Sequence, residues 1–360
     1  MVKSFCQNLS QPIDGINPAK RGLGVPLNSS PGKKLSVFVS RMIPEAGIEF
    51  LREKGVGVEI NRQDRVLSKA ELIECCRGKD GLLCQLTDEI DAEFLSLVPG
   101  LRGIANMAAG YDNIDLDAAT ARSIPVTNTP GVLTDATADL AWALLLAVAR
   151  RIPEAERYLR AGRFKSWGPM LFLGGDLKDK TLGILGAGRI GTAVGKRARA
   201  FAMKILYFDP RENPVLEKET GAVKVEFKTL IRQSDFITIH LPLTPATRHI
   251  IGRRELKAMK PACYLVNTSR GAVIDEAALV EALRERRIAG AGLDVYENEP
   301  RLHPGLLELE NAVLLPHIGS ATVFTRRRMA LTAAENLLAM LKGERPPNCL
   351  NPEAIRFQSS

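Results

Sequence analysis

Residues 181–191, TLGILGAGRIG, constrain the fold more than any other stretch. An apolar, β-branched run enters a turn in which Gly186, Gly188 and Gly191 stand in G-x-G-x-x-G spacing, and a segment of helical periodicity follows. The first glycine permits a tight turn, the second leaves room for a pyrophosphate, and the third lets a helix lie close to its strand. The helix N-terminus then offers unpaired amides and a positive dipole end to phosphate. Glycine-rich turns are common, so context decides. The next apolar run, KILYFD, ends in Asp209, eighteen positions after Gly191. A carboxylate there can accept hydrogen bonds from an adenosine ribose and repels a 2′-phosphate. The pattern predicts a dinucleotide site for NAD rather than NADP, with the guanidinium of Arg211 leaving NADPH open.

The alternation runs through most of the chain. From residue 34, KLSVFVS, GVGVEI, GLLCQL, LRGIANMA and IPVTNT read as strands. Segments of helical spacing separate them, one opening with Ser68 and Glu71 in a capping-box pattern. A long helix over about 134–151 precedes a second series: KTLGILG, KILYFDP, DFITIHLPL, CYLVNTS, GAGLDVY and AVLLPHI. A last helix is expected over about 322–342. Strand–helix alternation implies parallel sheets covered on both faces. The expected fold class is therefore α/β, with two doubly wound parallel-sheet units joined by helices. Residues 1–33, rich in Asn, Ser, Pro and Gly, lack apolar periodicity and read as a disordered N-terminal extension.

Composition narrows the function classes. A chain of 360 residues, 45% hydrophobic, can bury the cores of two domains. The net charge of +8 is scattered, and its densest cluster, RRR at 326–328, reads as a solvated helix face rather than a nucleic-acid surface. The general field of the protein favours small anions. The six cysteines show neither CxxC pairs nor zinc-like Cys/His spacing and read as reduced thiols of a cytoplasmic protein. LAWALLLAVA at 140–149 is too short to span a bilayer, so no membrane association is expected. It reads as a buried helix and a candidate subunit contact.

Three further strand ends turn polar after an apolar run. YLVNTSRG ends in Arg270, GLDVYENEP leads to Glu299, and LLPHIGS gives His317. In doubly wound folds the crevice at the carboxyl ends of the strands is where ligands bind, so these side chains can converge. A guanidinium binds a carboxylate bidentately. A histidine delivers a proton near neutral pH, and a carboxylate beside it fixes the ring. Hydride transfer to a 2-oxo acid needs these parts. Singly, Arg270 could pair a surface acid, Glu299 could be a solvated loop residue, and His317 could satisfy a core carbonyl. Jointly, on a dinucleotide fold, they point to catalysis.

From about residue 35 to 350 the chain resembles the D-isomer-specific 2-hydroxyacid dehydrogenases, through GAGRIG, NTSRGAVIDEAAL, AGAGLDVYENEP and LLPHIGSAT. Arg270, Glu299 and His317 have the spacing of that family's catalytic trio. NMAAGYDNID, NTPGVLTDATADLAWALLLAVAR and PLTPATRH are most similar to the glyoxylate/hydroxypyruvate reductase branch. The resemblance implies a flavodoxin-like substrate domain formed by 34–132 and 320–360, with a Rossmann NAD-binding domain at 133–319 inserted between them. It implies that Arg270 anchors the substrate carboxylate, His317 donates the proton and Glu299 holds and tunes His317. Cofactor contacts are implied for Gly186, Ala187, Gly188, Arg189, Ile190, Gly191, Asp209, Pro242, Thr268, Ser269, Arg270, Asp294, His317 and Gly319. Substrate contacts are implied for Ala109, Gly110, Arg270, His317 and Ser320. The small Ala109 disfavours the phosphite-oxidising branch, where a lysine is expected.

The family also implies a homodimer, with Trp167 of the SWGP loop near the partner subunit's site. DPR at 209–211 stands where NADPH-preferring relatives carry Ser-Arg-Thr, which supports NADH and leaves NADPH possible. The expected reaction is reduction of glyoxylate to glycolate and of hydroxypyruvate to D-glycerate. The rivals are D-3-phosphoglycerate dehydrogenase, D-lactate dehydrogenase and, from another class, an NAD-sensing corepressor-like binding protein. PLTPATRH and the lack of a long C-terminal extension favour the reductase.

Overall fold

Each apolar run of the sequence forms a strand, and the strands divide into two sheets. The computed structural model describes residues 34–355, so the expected N-terminal extension and the final residues lie outside the described residues. The first sheet holds β1 (Ser36–Val39), β2 (Gly57–Ile60), β3 (Gly81–Cys84), β4 (Gly103–Asn106) and β5 (Val126–Thr127), in the order β2-β1-β3-β4-β5. The second holds β6 (Thr181–Leu185), β7 (Lys204–Phe208), β8 (Val223–Lys224), β9 (Phe236–Ile239), β10 (Tyr264–Asn267), β11 (Gly290–Leu293) and β12 (Ala312–Leu314). Their order is β12-β11-β10-β9-β6-β7-β8. Every neighbouring pair is parallel.

The pleat explains why the runs are continuously apolar. Val37, Val39, Leu83 and Ala105 point into one core, while Phe38, Leu82, Cys84, Ile104 and Val126 point into another on the opposite face. In the second sheet, Ile184, Ile205 and Tyr207 enter the core shared with helix Thr134–Ala149. Leu185, Ile237, Ile239 and Leu265 enter the opposite one. The capping box at Ser68 forms as the sequence predicts, with the hydroxyl accepting from the Glu71 amide.

The last helix, Val323–Leu341, returns from the second sheet to pack on helix Glu45–Glu53 and on β3 and β4 of the first. The helix pair approaches so closely that a Cβ on Gly47 would lie 2.6 Å from the Ala330 carbonyl oxygen.

The structure departs from the sequence reading in three places. The helix expected over 134–151 ends at Ala149; Arg151 takes a left-handed conformation (φ 54°), and a separate helix spans Ile152–Arg160. Pro153 suits the first turn of a helix but not its interior, which places the break just before it. Second, β8 has two residues, too few for periodicity to reveal. Third, Arg326 of the RRR cluster is not on a solvated face: it is half-buried and lines a cleft, while Arg327 and Arg328 are exposed.

Trp142, Leu144, Leu145 and Ala149 of the 140–149 segment are covered by the protein's own second core, and Val148 is buried as well. Its apolarity therefore needs no partner subunit to explain it. No helix among the described residues is long and apolar enough to cross a membrane. The five described cysteines are free, with Cys76, Cys84 and Cys263 buried. Burial pushes the Cys263 thiol up to about 12.

Candidate active site

The carboxyl ends of the second sheet's strands gather most of the residues singled out in the sequence. Gly186 follows β6, Asp209 follows β7, Thr268 follows β10, Asp294 follows β11 and His317 lies beyond β12. The three glycines of the turn differ in what they do. A Cβ at Gly186, where φ is 91°, would lie 2.7 Å from the His240 carbonyl oxygen, and one at Gly191 would lie 2.1 Å from that of Gly186. These two are required by the protein's own packing. A Cβ at Gly188 would meet nothing within 4 Å, so the chain itself does not demand glycine there. The open space lies over the N-terminus of helix Arg189–Ala198, which no side chain caps.

A dinucleotide fits this arrangement. Its pyrophosphate needs close approach at the second glycine and free amides beyond it. The Asp209 carboxylate accepts from the Ala187 and Arg211 amides, 3.0 Å each, which fixes it at the edge of the turn. Two buried polar atoms along the crevice, His240 Nδ1 and Thr268 Oγ1, have no hydrogen-bond partner among the described residues. Orphaned polar atoms of that kind mark where a polar ligand completes the hydrogen bonding. Of the other expected contacts, Ala187 is buried, Ile190 half-buried, and Arg189 and Pro242 are exposed. Ser269 bonds back to Asn267.

Between the two sheets lies a cleft of about 990 Å³, lined by Arg270, Glu299 and His317 together. His317 Nδ1 lies 2.8 Å from Glu299 Oε2, and the other Glu299 oxygen accepts from the Tyr296 amide at 3.0 Å. A carboxylate on Nδ1 leaves Nε2 as the ring nitrogen available to the cleft. The His317 backbone is left-handed (φ 55°), an uncommon state for a residue other than glycine and one that clusters at functional sites. Asp294 holds the turn that follows, accepting from the Ile318 and Gly319 amides at 2.7 Å each. Burial alone would raise the Glu299 carboxyl. The hydrogen bond and charge of His317, the Tyr296 amide and the charge of Arg270 outweigh it and hold the group below the usual carboxylate range. For Asp294 burial wins, and the carboxyl is pushed up.

Arg270 does pair with an acid, across the cleft. Its Nε donates to Asp112, 2.9 Å from Oδ1, and its NH1 donates to the Ser269 carbonyl. Asp112 belongs to the loop after β4, so the guanidinium is braced from the first sheet. Gly110 lies against it: a Cβ there would sit 1.8 Å from Arg270 NH2. The carbonyls of Ala109 and Gly110 are held by Asn128 and Asn106. Ser320, Ala109 and Gly110 do not line the cleft, whereas Arg41, Gln85, Leu86, Thr87, Asp112 and Arg326 do. The sequence reading missed these six. Asp112 lies within NMAAGYDNID, two residues after Gly110, which was already singled out, and that proximity was the available signal. Trp167 is 79% exposed and lies outside this cleft.

Comparison with known proteins gives the arrangement its family. Residues 142–319 match the family model described as D-isomer specific 2-hydroxyacid dehydrogenase, NAD binding domain. A glyoxylate reductase of Thermococcus litoralis is 53% identical over 326 residues, covering 89% of this chain and 98% of its own. Among solved structures, the TT0316 protein of Thermus thermophilus superposes with a TM-score of 0.83 at 48% identity, covering 88% of this chain and all of that one. An NADPH-dependent glyoxylate/hydroxypyruvate reductase of Sinorhizobium meliloti, solved with NADP and malonate, gives 0.81 at 33% identity, covering 91% and 100%. With relatives this similar along nearly their whole length, the chain belongs to the D-isomer-specific 2-hydroxyacid dehydrogenase family and is an NAD(P)-dependent oxidoreductase.

Proposed function

We propose that the protein reduces small 2-oxo acids to D-2-hydroxy acids, glyoxylate to glycolate and hydroxypyruvate to D-glycerate, with NADH preferred and NADPH accepted. The observation that carries this reading is the cleft lined by a braced guanidinium and a carboxylate-held histidine, on the sheet whose β6 leads into the glycine turn. The relatives named glyoxylate reductase support the choice of substrate. The Asp209 carboxylate supports NADH.

Arg270, turned by Asp112 toward the cleft, binds the substrate carboxylate, with Gly110 packed against the guanidinium. That leaves the keto carbon and its oxygen toward His317. When bound along the glycine turn, the dihydronicotinamide supplies the hydride. His317 gives the proton on Nε2 to the carbonyl oxygen, so no free alkoxide accumulates. Glu299 holds the ring through Nδ1 and compensates its charge. Fixing the acid by two groups on separate elements converts binding into orientation, which lowers the barrier without new chemistry.

In this reading 34–132 and 320–360 form the substrate domain, and 133–319 the dinucleotide domain. A cytoplasmic homodimer completes it. Ile152, Leu159, Phe164, Trp167, Met170 and Leu173 are large apolar residues left at least half exposed on the segment after helix Thr134–Ala149. Such a patch fits a subunit interface. Cofactor oxidation, followed by nicotinamide absorbance, tests the reading with glyoxylate, hydroxypyruvate, pyruvate and 3-phosphohydroxypyruvate against NADH and NADPH. Fast glyoxylate turnover with NADH is expected. Turnover confined to pyruvate or to the phosphorylated acid would transfer the protein to the lactate or phosphoglycerate branch.

A further inference from the structure

Gln85 stands at the first position after β3 and lines the same cleft as Arg270 and His317. Its backbone is fixed on both sides. The amide donates to Asp88 Oδ2 at 2.7 Å, and the carbonyl accepts from Asn113 Nδ2 at 3.1 Å. Asn113 belongs to the loop that carries Gly110 and Asp112, so Gln85 is tied to the segment that braces Arg270. Its side chain is different. The amide nitrogen is sealed from solvent and has no hydrogen-bond partner among the described residues.

A buried donor without an acceptor is unfavourable, and it persists where a ligand completes it. The terminal torsion of glutamine is a soft rotor, so the NH₂ can turn into the cleft without moving the anchored backbone. The reaction assigned above already uses other groups for the carboxylate and the keto oxygen of the substrate. The third substituent on the keto carbon has no polar partner in that account. Glyoxylate needs none, because its third substituent is hydrogen. Hydroxypyruvate carries a hydroxyl on C3, and pyruvate a bare methyl.

We infer that Gln85 is a specificity-determining residue, donating its amide hydrogen to an oxygen on C3 of the 2-oxo acid and so selecting 3-oxygenated acids over pyruvate. The inference rests on the reductase reading and names the substrate class of that site. Leu86 lies beside it in the lining, and Asp112 of the same lining is committed to Arg270. A site built to hydrogen-bond a substrate group rejects the analogue that lacks it, because the protein's own group is then left unpaired.

The test compares kcat/KM of the wild type with Q85L and Q85M for glyoxylate, hydroxypyruvate and pyruvate at saturating NADH. Two variants of different shape guard against a folding defect in either one, checked by thermal unfolding. Hydroxypyruvate reduction is expected to fall roughly 10- to 100-fold. Glyoxylate and pyruvate should stay near wild type, with the loss carried mainly by KM. An equal loss on all three acids, or an unchanged hydroxypyruvate rate, would overturn the inference. So would a wild type that reduces glyoxylate but prefers pyruvate to hydroxypyruvate. A wild type inert toward glyoxylate would instead refute the reductase reading itself, before any variant is made.

Discussion

Arg270 and Glu299 owe their value to what fixes them. Arg270 is planar, and its Nε is committed to Asp112, leaving the NH2 edge toward Gly110. Lysine would keep the charge but lose both the fork and the brace. Arg270→Lys is therefore expected to lower kcat/KM for glyoxylate on the order of 10²-fold, with a raised KM, in steady-state assays. Glu299 acts through His317, so Glu299→Gln should lower kcat by roughly 10²-fold or more while NADH affinity stays unchanged, because an amide no longer enforces one ring tautomer. Equal NADH dissociation constants with a collapsed kcat would be the signature.

At this scale the sequence showed the charged groups that end apolar runs, since polarity at a strand terminus is conspicuous. Asp112 and Gln85 were not legible. Gln85 ends the apolar run of β3 but carries no charge to mark it, and Asp112 meets Arg270 across 158 positions of chain, which no local pattern encodes.

Secondary-structure elements were the most legible level. Eleven of the twelve strands among the described residues coincide with apolar runs of the sequence, because a strand covered on both faces cannot alternate with polar residues. The misses have local causes: β8 is too short for a pattern, and the turn at Arg151 interrupts an apolar helix without glycine. Close packing between elements was invisible too. Gly47 marks the crossing of helices Glu45–Glu53 and Val323–Leu341, where a methyl group would meet backbone rather than a movable side chain. Gly47→Ala should destabilise the protein by about 1–3 kcal/mol despite its better helix propensity, as read by denaturant unfolding. A gain in stability would mean that the helices separate freely.

The whole molecule brings two sheets to one cleft, and its stability depends on keeping certain groups in one ionisation state. Burial pushes the His240 ring down from 6.5 to about 3, so the folded protein holds it neutral. The unfolded chain takes up that proton below about pH 6.5, so this contribution to stability is complete above pH 6.5 and declines as pH falls toward 3. Glu299 adds a loss at lower pH: its depressed carboxyl favours the fold above the ordinary carboxylate range and ceases to do so as pH falls through its folded value. Chemical denaturation of His240→Asn across pH 4–7 should therefore give a flatter curve than the wild type, and parallel curves would contradict the buried neutral ring.

The central claim is that His317 protonates the substrate oxygen from a cleft shared by both sheets. The most direct measurement is glyoxylate turnover by His317→Ala beside the wild type, with NADH binding measured on the same samples. A loss of about 10²–10⁴-fold in kcat at unchanged NADH affinity is predicted. Near-wild-type turnover by a variant that still folds and binds NADH would contradict the account.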